Sequence, residues 1–130
     1  IITGVSGGQE SYIDRTLRST IQGANFYLLN PAGSLFGEQA RLDLTGSFYA
    51  STADYVKLGE DGRFQATHPE HSILTVAPPS DFGFLSATAA PITVQGSRLS
   101  VPQSQTLGLI GGNLTLEQSA TEKSAILTAG

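Results

Sequence analysis

One apolar run of the chain is broken by a single turn segment and resumes directly after it. Residues 24–29 read Ala-Asn-Phe-Tyr-Leu-Leu, the segment Asn30-Pro31-Ala32-Gly33 follows, and residues 34–36 read Ser-Leu-Phe. Asn, Pro and Gly suit positions i, i+1 and i+3 of a type I turn. The Asn side chain can bond the backbone two residues on, Pro fixes its own φ, and Gly accommodates the exit from the turn. The segment therefore predicts a strand, a sharp turn and a second strand.

Short strands separated by turn residues account for most of the remaining sequence. In residues 40–45, Ala, Leu and Leu alternate with Arg, Asp and Thr, which gives one apolar and one polar face. Fifteen glycines and six prolines interrupt the chain. We predict turns at residues 46–47, 59–62, 78–81 and 111–112. The 130 residues are expected to form one all-β domain, residues 1–130, that is long enough to bury a core.

A short internal repeat lies in the last third of the chain. The pattern apolar-x-apolar-x-Gly-x-x-apolar-x-apolar occupies residues 92–101 and returns at residues 107–116, with a compressed echo at residues 42–50. Units of this kind indicate stacked coils in which each unit contacts its neighbours. We therefore expect the glycines of the two full repeats, Gly96 and Gly111, to stack or to occupy equivalent bends. The repeat is shorter than one full coil of a wide β-helix, so its units need not be whole coils.

Two architectures fit these patterns. One is a right-handed parallel β-helix with short extra-helical β excursions, and the other is an antiparallel sandwich. A sandwich calls for hairpins with two-residue loops, for which Asp61-Gly62 is a candidate. The repeat favours the β-helix. Residues 67–90 carry three of the six prolines and both histidines, so they are expected to form an excursion from the coils.

Charge and composition exclude some functions and leave the compartment open. The net charge is −4 and the basic residues are scattered, so no nucleic-acid partner is predicted. No apolar run approaches the roughly 18 residues of a membrane-spanning helix. The chain has no cysteine. That absence suits a reducing cytosol, and it also suits an exported chain in which a disulfide-closed loop would obstruct passage through a pore.

Two short motifs resemble reactive sites, and we interpret both as turns. The glycine-rich residues 4–8 match the Gly-x-Ser-x-Gly pattern around Ser6, but a β pattern follows them where a nucleophile elbow needs a helix. The segment His68-Pro69-Glu70-His71 combines two imidazoles with a carboxylate, which are metal-ligand types. Pro69 places this segment in a loop. We predict a solvated polar loop, with an adventitious zinc or nickel site as the alternative, and no functional metal or cofactor.

No catalytic residue is predicted, because glycan-cleaving β-helices need clustered carboxylates and the acidic residues here are dispersed. A β-helical carbohydrate-active enzyme or glycan-binding module is nevertheless kept as the alternative function. Glycan binding would need exposed aromatic residues in a row, for which Tyr27, Tyr49 and Tyr55 are candidates. The formal glycosylation sequon at Asn113 is interpreted as part of a repeat corner. The dispersed acidic residues are Asp14, Glu38, Asp54, Asp61 and Asp81.

Several spaced motifs, taken in order, resemble the N-terminal secretion domain of filamentous haemagglutinin-like exoproteins, which are the exported partners in two-partner secretion. Asn30-Pro31-Ala32-Gly33 is similar to the Asn-Pro-Asn-Gly signature of that family, with Ala32 in place of the second Asn. The resemblance covers most of residues 1–118. Further similar segments are residues 2–4, 7–14, 16–18, 40–54, 92–97 and 107–117.

This resemblance implies a parallel β-helix and a secreted or cell-surface adhesin of a Gram-negative bacterium. The implied partner is an outer-membrane transporter whose periplasmic domains recognise the chain, and the domain would nucleate β-helix folding outside the cell. A host-cell or glycan receptor would be met through other parts of the parent protein. The chain is then a fragment that lacks a signal and the first part of the family domain. Asn30, Pro31, Ala32 and Gly33 would either contact the transporter or only form the turn, and both alternatives stay open.

Overall fold

The computed structural model describes residues 1–119, 121 and 124–129. These residues form fifteen short strands and one 3₁₀ turn at Pro69–His71. The strands are β1 Ile2–Gly4, β2 Ser11–Ile13, β3 Thr16–Arg18, β4 Phe26–Leu29, β5 Ser34–Phe36, β6 Arg41–Asp43, β7 Phe48–Ser51, β8 Tyr55–Leu58, β9 Gly62–Gln65, β10 Pro79–Gly83, β11 Ile92–Gln95, β12 Arg98–Ser100, β13 Leu107–Ile110, β14 Leu114–Glu117 and β15 Ile126–Thr128.

The strands wind into stacked coils that share three faces. One face is the parallel sheet β1-β4-β7-β13, and the second is the parallel sheet β2-β5-β11-β14. The third face holds the parallel pairs β3-β6 and β12-β15. The first coil is β1 to β3, the second β4 to β6, the third β7, β11 and β12, and the fourth β13 to β15. Because each coil pairs in parallel with the next, the parallel β-helix is confirmed and the antiparallel sandwich is wrong.

The strand register gives the true length of a coil. Tyr27 pairs with Tyr49, 22 residues further along the chain, and Ile92 pairs with Leu114 at the same separation. Ile2 pairs with Tyr27 at a separation of 25 residues. One coil therefore takes about 22 to 25 residues wherever nothing is inserted into it, which is longer than the repeat seen in the sequence.

The sequence repeats mark three different corners of the coil. Residues 92–101 run from β11 past the corner to β12, residues 107–116 run from β13 to β14, and residues 42–50 run from β6 to β7. Gly96 and Gly111 consequently occupy different corners, and the prediction that they stack or share equivalent bends is wrong. The reason is physical: any corner that joins two half-buried strands needs the same strand-glycine-strand pattern.

The interior of the coils is a continuous apolar core. Phe36, Phe48 and Leu99 have no solvent exposure, and Ile92 is 1% exposed. The rings of Phe36 and Phe48 meet edge to face at a centroid distance of 6.1 Å. Removing such side chains from water stabilises the fold by about 25 cal/mol per Å² of apolar surface. The coils are therefore held together by axial stacking of these side chains as well as by the strand hydrogen bonds.

The chain leaves the coils between β7 and β11 and forms a separate antiparallel sheet in the order β10-β8-β9. This excursion was predicted, but it begins near Tyr55 instead of residue 67. The β8-β9 hairpin turns through residues 59–61 with Gly59 at φ 73°, so the two-residue Asp61-Gly62 loop is wrong. The turn predicted at residues 78–81 is also wrong. Pro79 begins β10, an edge strand in which the missing N–H is tolerated.

A second apolar core lies between the excursion sheet and the outer face of the first parallel sheet. It contains Leu29, Val56 and Leu58, with Phe82 packed against it. Side chains alternate along a strand, so Leu28 faces the interior of the coils while Leu29 faces the excursion. Strand β4 is thus buried on both faces, which explains its unbroken apolar sequence.

Candidate functional site

The corner between β4 and β5 is the turn that the sequence predicts. The backbone N–H of Gly33 donates to the carbonyl of Asn30 at 3.0 Å, which closes the turn. The backbone N–H of Ala32 donates to Asn30 Oδ1 at 2.9 Å. Gly33 has φ 111°, a region that L side chains rarely adopt. The local roles assigned to Asn30 and Gly33 are therefore both observed.

Asn30 also joins three consecutive coils, which the sequence did not predict. Its Nδ2 donates to the carbonyl of Gln9 at 2.9 Å and to Ser11 Oγ at 2.8 Å, both in the first coil. Its backbone N–H donates to the carbonyl of Ser51 in the third coil at 3.0 Å. Asn30 therefore fixes the axial stacking as well as its own turn.

The Asn30 side chain is fully buried, with 0% exposure. Its amide nitrogen makes two hydrogen bonds and its oxygen accepts one, so the bonding capacity of the buried group is well used. Gly33 is buried, and Pro31 and Ala32 are half-buried. In the folded domain, a partner protein could contact Pro31 and Ala32 but not the Asn30 amide.

The turn packs tightly against the third coil. The backbone N–H of Ser34 donates to the carbonyl of Pro91 at 3.3 Å. A Cβ atom built on Gly33 would lie 3.0 Å from the same oxygen. Glycine is thus favoured at residue 33 by the close approach of the next coil as well as by its φ.

The excursion is inserted at this same corner, one coil further along. In the third coil, Ser51 ends the strand on the first face and Ile92 begins the strand on the second. The axial ladder continues on both sides of the insertion: Thr52 N–H donates to the Ile110 carbonyl, and Ile92 N–H donates to the Asn113 carbonyl, each at 3.0 Å. The Asn30 turn therefore lies directly beside the points where the excursion leaves and rejoins the coils.

A second polar ladder, at the corner before the first face, was missed by the sequence analysis. Asn25 Oδ1 accepts the backbone N–H of Ser47 at 2.9 Å. Ser47 Oγ in turn donates to Gln105 Oε1 at 3.1 Å and accepts the backbone N–H of Thr106 at 2.9 Å. An Asn at each end of the Phe26–Leu29 strand is the sequence signal that marks both corners.

Two of the dispersed carboxylates bind backbone amides. Asp14 Oδ1 accepts the N–H of Gln39 at 2.9 Å. Asp54 Oδ2 accepts the N–H of Leu85 at 2.7 Å, which ties the start of the excursion to its end. Both act as turn caps. Ser6 is exposed, in the glycine-rich corner of the first coil.

The candidate glycan-binding tyrosines do not form an exposed row. The rings of Tyr27 and Tyr49 stack on each other in the second core, and Tyr27 is only 9% exposed. Burial raises the pKa of Tyr27, and the neighbouring Tyr49 raises it further. The guanidinium of Arg63 lies 4.2 Å from the centre of the Tyr55 ring. These aromatic residues serve packing.

The two histidines lie on the excursion, at and just before the 3₁₀ turn Pro69–His71. His68, Glu70 and His71 are all exposed, as expected for a polar loop. His68 Nδ1 lies 3.4 Å from a carboxylate oxygen of Glu70. The pKa of Glu70 is lowered mainly by its own backbone N–H, with further contributions from the two histidines.

The parallel coils and their extra-helical sheet place the protein in the class of β-helical domains. The TPS secretion domain family matches residues 1–130, and the chain belongs to this family of two-partner secretion exoprotein domains. Membership implies secretion with the aid of a transporter partner, and the family is not one of enzymes. No curated protein and no solved structure shows a significant match. Within the described part of the chain, no helix is long and apolar enough to cross a bilayer.

Proposed function

We propose that this domain is the segment that the outer-membrane transporter recognises, and that it nucleates β-helix folding of a haemagglutinin-like adhesin outside the cell. The observation that carries the proposal is the burial of Asn30, whose side chain bonds Gln9 and Ser11 of the neighbouring coil. Capture by the transporter and folding of the coils would compete for the same amide.

Competition of this kind couples release to folding. In the unfolded chain, the Asn30 amide is free to bond the periplasmic domains of the transporter. In the folded domain, the same atoms bond Gln9, Ser11 and Ala32. A chain held at Asn30 cannot complete the stack of the first two coils, and a chain that has completed it no longer offers Asn30. The free energy of burying the apolar faces then becomes available only after release, which gives export its direction.

Nucleation is supported by the end of the described stack. Leu114 and Leu116 of β14 are 47% and 51% exposed. Strand β14 is the last member of its parallel sheet among the described residues. An edge strand offers unpaired N–H and C=O groups on which a further coil can add. Adhesion and receptor binding at the cell surface are assigned to other parts of the parent protein.

Export of two variants of comparable stability tests the proposal. Asn30→Ala removes the recognised amide, whereas Leu99→Ala removes a fully buried core side chain on another face. Leu→Ala in a core typically costs about 2–5 kcal/mol, so it is a suitable match for the stability lost at Asn30. With the transporter co-expressed, we expect Asn30→Ala to lower the amount of secreted protein several-fold below that of Leu99→Ala. Equal secretion of the two variants would limit Asn30 to folding.

A binding measurement separates recognition from folding directly. A peptide of residues 20–40 is too short to form two coils, so it presents the segment unfolded. We expect it to bind the purified periplasmic domains of the transporter and its Asn30→Ala form to bind more weakly. Undiminished binding of the Ala form contradicts the proposed recognition and leaves the nucleating role to be judged from the export assay.

A further inference from the structure

The excursion brings three metal-ligand side chains together at one place. The candidate ligand atoms of His68, Glu70 and His71 all lie within 4.8 Å of one another. The imidazole rings of His68 and His71 lie side by side, with centroids 5.5 Å apart and planes 25° apart. The sequence showed that these residue types are adjacent, but their convergence in space is a finding of the structure.

We propose that His68, Glu70 and His71 form a surface site for a divalent transition metal ion, with Zn²⁺ as the best-suited ion. Zinc binds imidazole nitrogen and carboxylate oxygen at about 2.0–2.2 Å, so two ligand atoms of a tetrahedral site stand roughly 3.4 Å apart. His68 Nδ1 and the Glu70 carboxylate already have this separation, at 3.4 Å. A small rotation of the His71 ring closes the rest of the 4.8 Å cluster.

The backbone holds the three residues in place without a metal. His71 N–H donates to the His68 carbonyl at 2.9 Å, and Ser72 N–H donates to the Pro69 carbonyl at 3.0 Å. Ser72 Oγ accepts the N–H of Gln65 at 2.9 Å. These bonds fix the turn and fasten it to strand β9. A ligand set that is ordered in advance loses less conformational freedom when it binds a metal.

The base of the loop is closed by a separate backbone bridge. Arg63 and Ile73 exchange two hydrogen bonds, of 2.7 Å from Arg63 N–H and 2.8 Å from Ile73 N–H. The site is therefore a closed loop on the antiparallel sheet, well outside the coil core. Removing its side chains is not expected to unfold the domain.

The ligand types select the metal. Imidazole suits zinc, copper and nickel, whereas calcium and magnesium prefer sites made of oxygen atoms alone. The cluster supplies three ligands, two of them nitrogen, and leaves one position of a tetrahedral zinc for water. All three residues are exposed, so the metal can enter directly from solvent.

Calorimetric titration of the untagged domain with zinc chloride tests the site. We expect saturable binding of one zinc per chain. The chain contains two histidines, and both belong to the cluster, so their imidazole NMR signals report on this site alone. Both sets of signals should shift with the same stoichiometry. Absence of saturable binding, unshifted imidazole signals, or one zinc per two chains would each overturn the proposal.

Variants assign the ligands. The double change His68→Ala and His71→Ala should abolish binding, and Glu70→Gln should weaken it by about tenfold or more. Glu60→Gln serves as the matched control, because Glu60 is an exposed carboxylate on the β8-β9 turn of the same excursion. It should bind zinc as the unchanged domain does. Full binding by the double variant, whose fold is checked by circular dichroism, would place the zinc elsewhere and refute the site.

Discussion

The ring of Tyr27 stacks on the ring of Tyr49 with centroids 4.7 Å apart and planes 8° apart. The two residues are also register partners on neighbouring strands β4 and β7. Phe82 of the excursion lies 6.4 Å from each ring. The stack therefore serves two purposes at once, since it aligns two coils along the helix axis and gives the excursion a surface on which to pack.

Alkaline pH should destabilise this stack. Burial, followed by Tyr49, raises the pKa of Tyr27 above its ordinary value of 10.0. The folded domain therefore holds the phenolic proton more tightly than the unfolded chain does. Stability is complete below pH 10.0 and falls as the pH rises above it. We expect the melting temperature to fall less steeply with pH in Tyr27→Phe than in the unchanged domain, as measured by thermal scans from about pH 9 to about pH 11.

Tyr12→Phe is the control for that titration, because Tyr12 is 64% exposed. It should retain the alkaline loss of the unchanged domain. An identical pH dependence for Tyr27→Phe and the unchanged domain would show that Tyr27 does not contribute to it.

Asn30→Ala should lower the stability of the purified domain without unfolding it. The substitution removes three side-chain hydrogen bonds, each with a net contribution of about 0.5–1.5 kcal/mol, so a loss of about 2–4 kcal/mol is expected. Domains of this size usually have about 5–15 kcal/mol of stability. The variant should therefore melt cooperatively at a lower temperature and keep its β spectrum.

Asn113→Ala is the matched asparagine variant, since Asn113 is exposed at the same corner of the fourth coil. It should change the free energy of unfolding by less than about 0.5 kcal/mol. An equally small change in Asn30→Ala would mean that the three bonds of Asn30 do not support the fold in solution.

Gly33→Ala should be destabilising, whereas Gly7→Ala should not. Gly33 has φ 111°, and its added Cβ would lie 3.0 Å from the Pro91 carbonyl. Holding a non-glycine residue in such a conformation costs roughly 1–3 kcal/mol. Nothing lies within 4 Å of a Cβ built on Gly7, and its φ is ordinary. Urea unfolding midpoints of the two variants give the comparison, and similar midpoints would argue against strain at residue 33.

Secretion should not depend on Ser6, His68 or His71. All three side chains are exposed, and none contributes to the coil core. The triple alanine variant should be exported with its transporter at the level of the unchanged protein, as measured by immunoblot of the medium. Because the proposed zinc site lies on the excursion, its loss is expected to remove metal binding alone. A clear fall in export of this variant would assign one of these residues to the transport step.

The Asn30 turn could be predicted because its causes are local. Asn, Pro and Gly each favour one position of a turn, whatever surrounds them. The bonds from Asn30 to Gln9 and Ser51 could not be predicted, since each partner is 21 residues away and lies opposite Asn30 only in the correct coil register. A single sequence does not state that register, and the short repeats pointed to a period that is not the length of a coil.

The start of the excursion was missed for a related reason. Val56 and Leu58 are buried and alternate with half-buried neighbours, a pattern that a coil strand would also show. Alternation with a period of two indicates a half-buried strand, but it is the same for parallel and antiparallel partners. Only the pairing of β8 with β9 and β10 distinguishes them. The Pro-rich segment looked irregular from sequence, yet it contributes an edge strand of the same sheet.

The inserted excursion has a consequence for the order of assembly. The second coil passes from its first face to its second through Asn30–Gly33, whereas the third must wait from Ser51 until Ile92 has arrived. A chain that folds as it emerges from a pore therefore holds the third coil unfinished while the excursion forms. Loop closure becomes only slightly less favourable as a loop lengthens, so the delay costs time more than stability. The corner beside Asn30 acts as a timing element, at which inserted sequence changes the schedule of folding while the register of the stack is preserved.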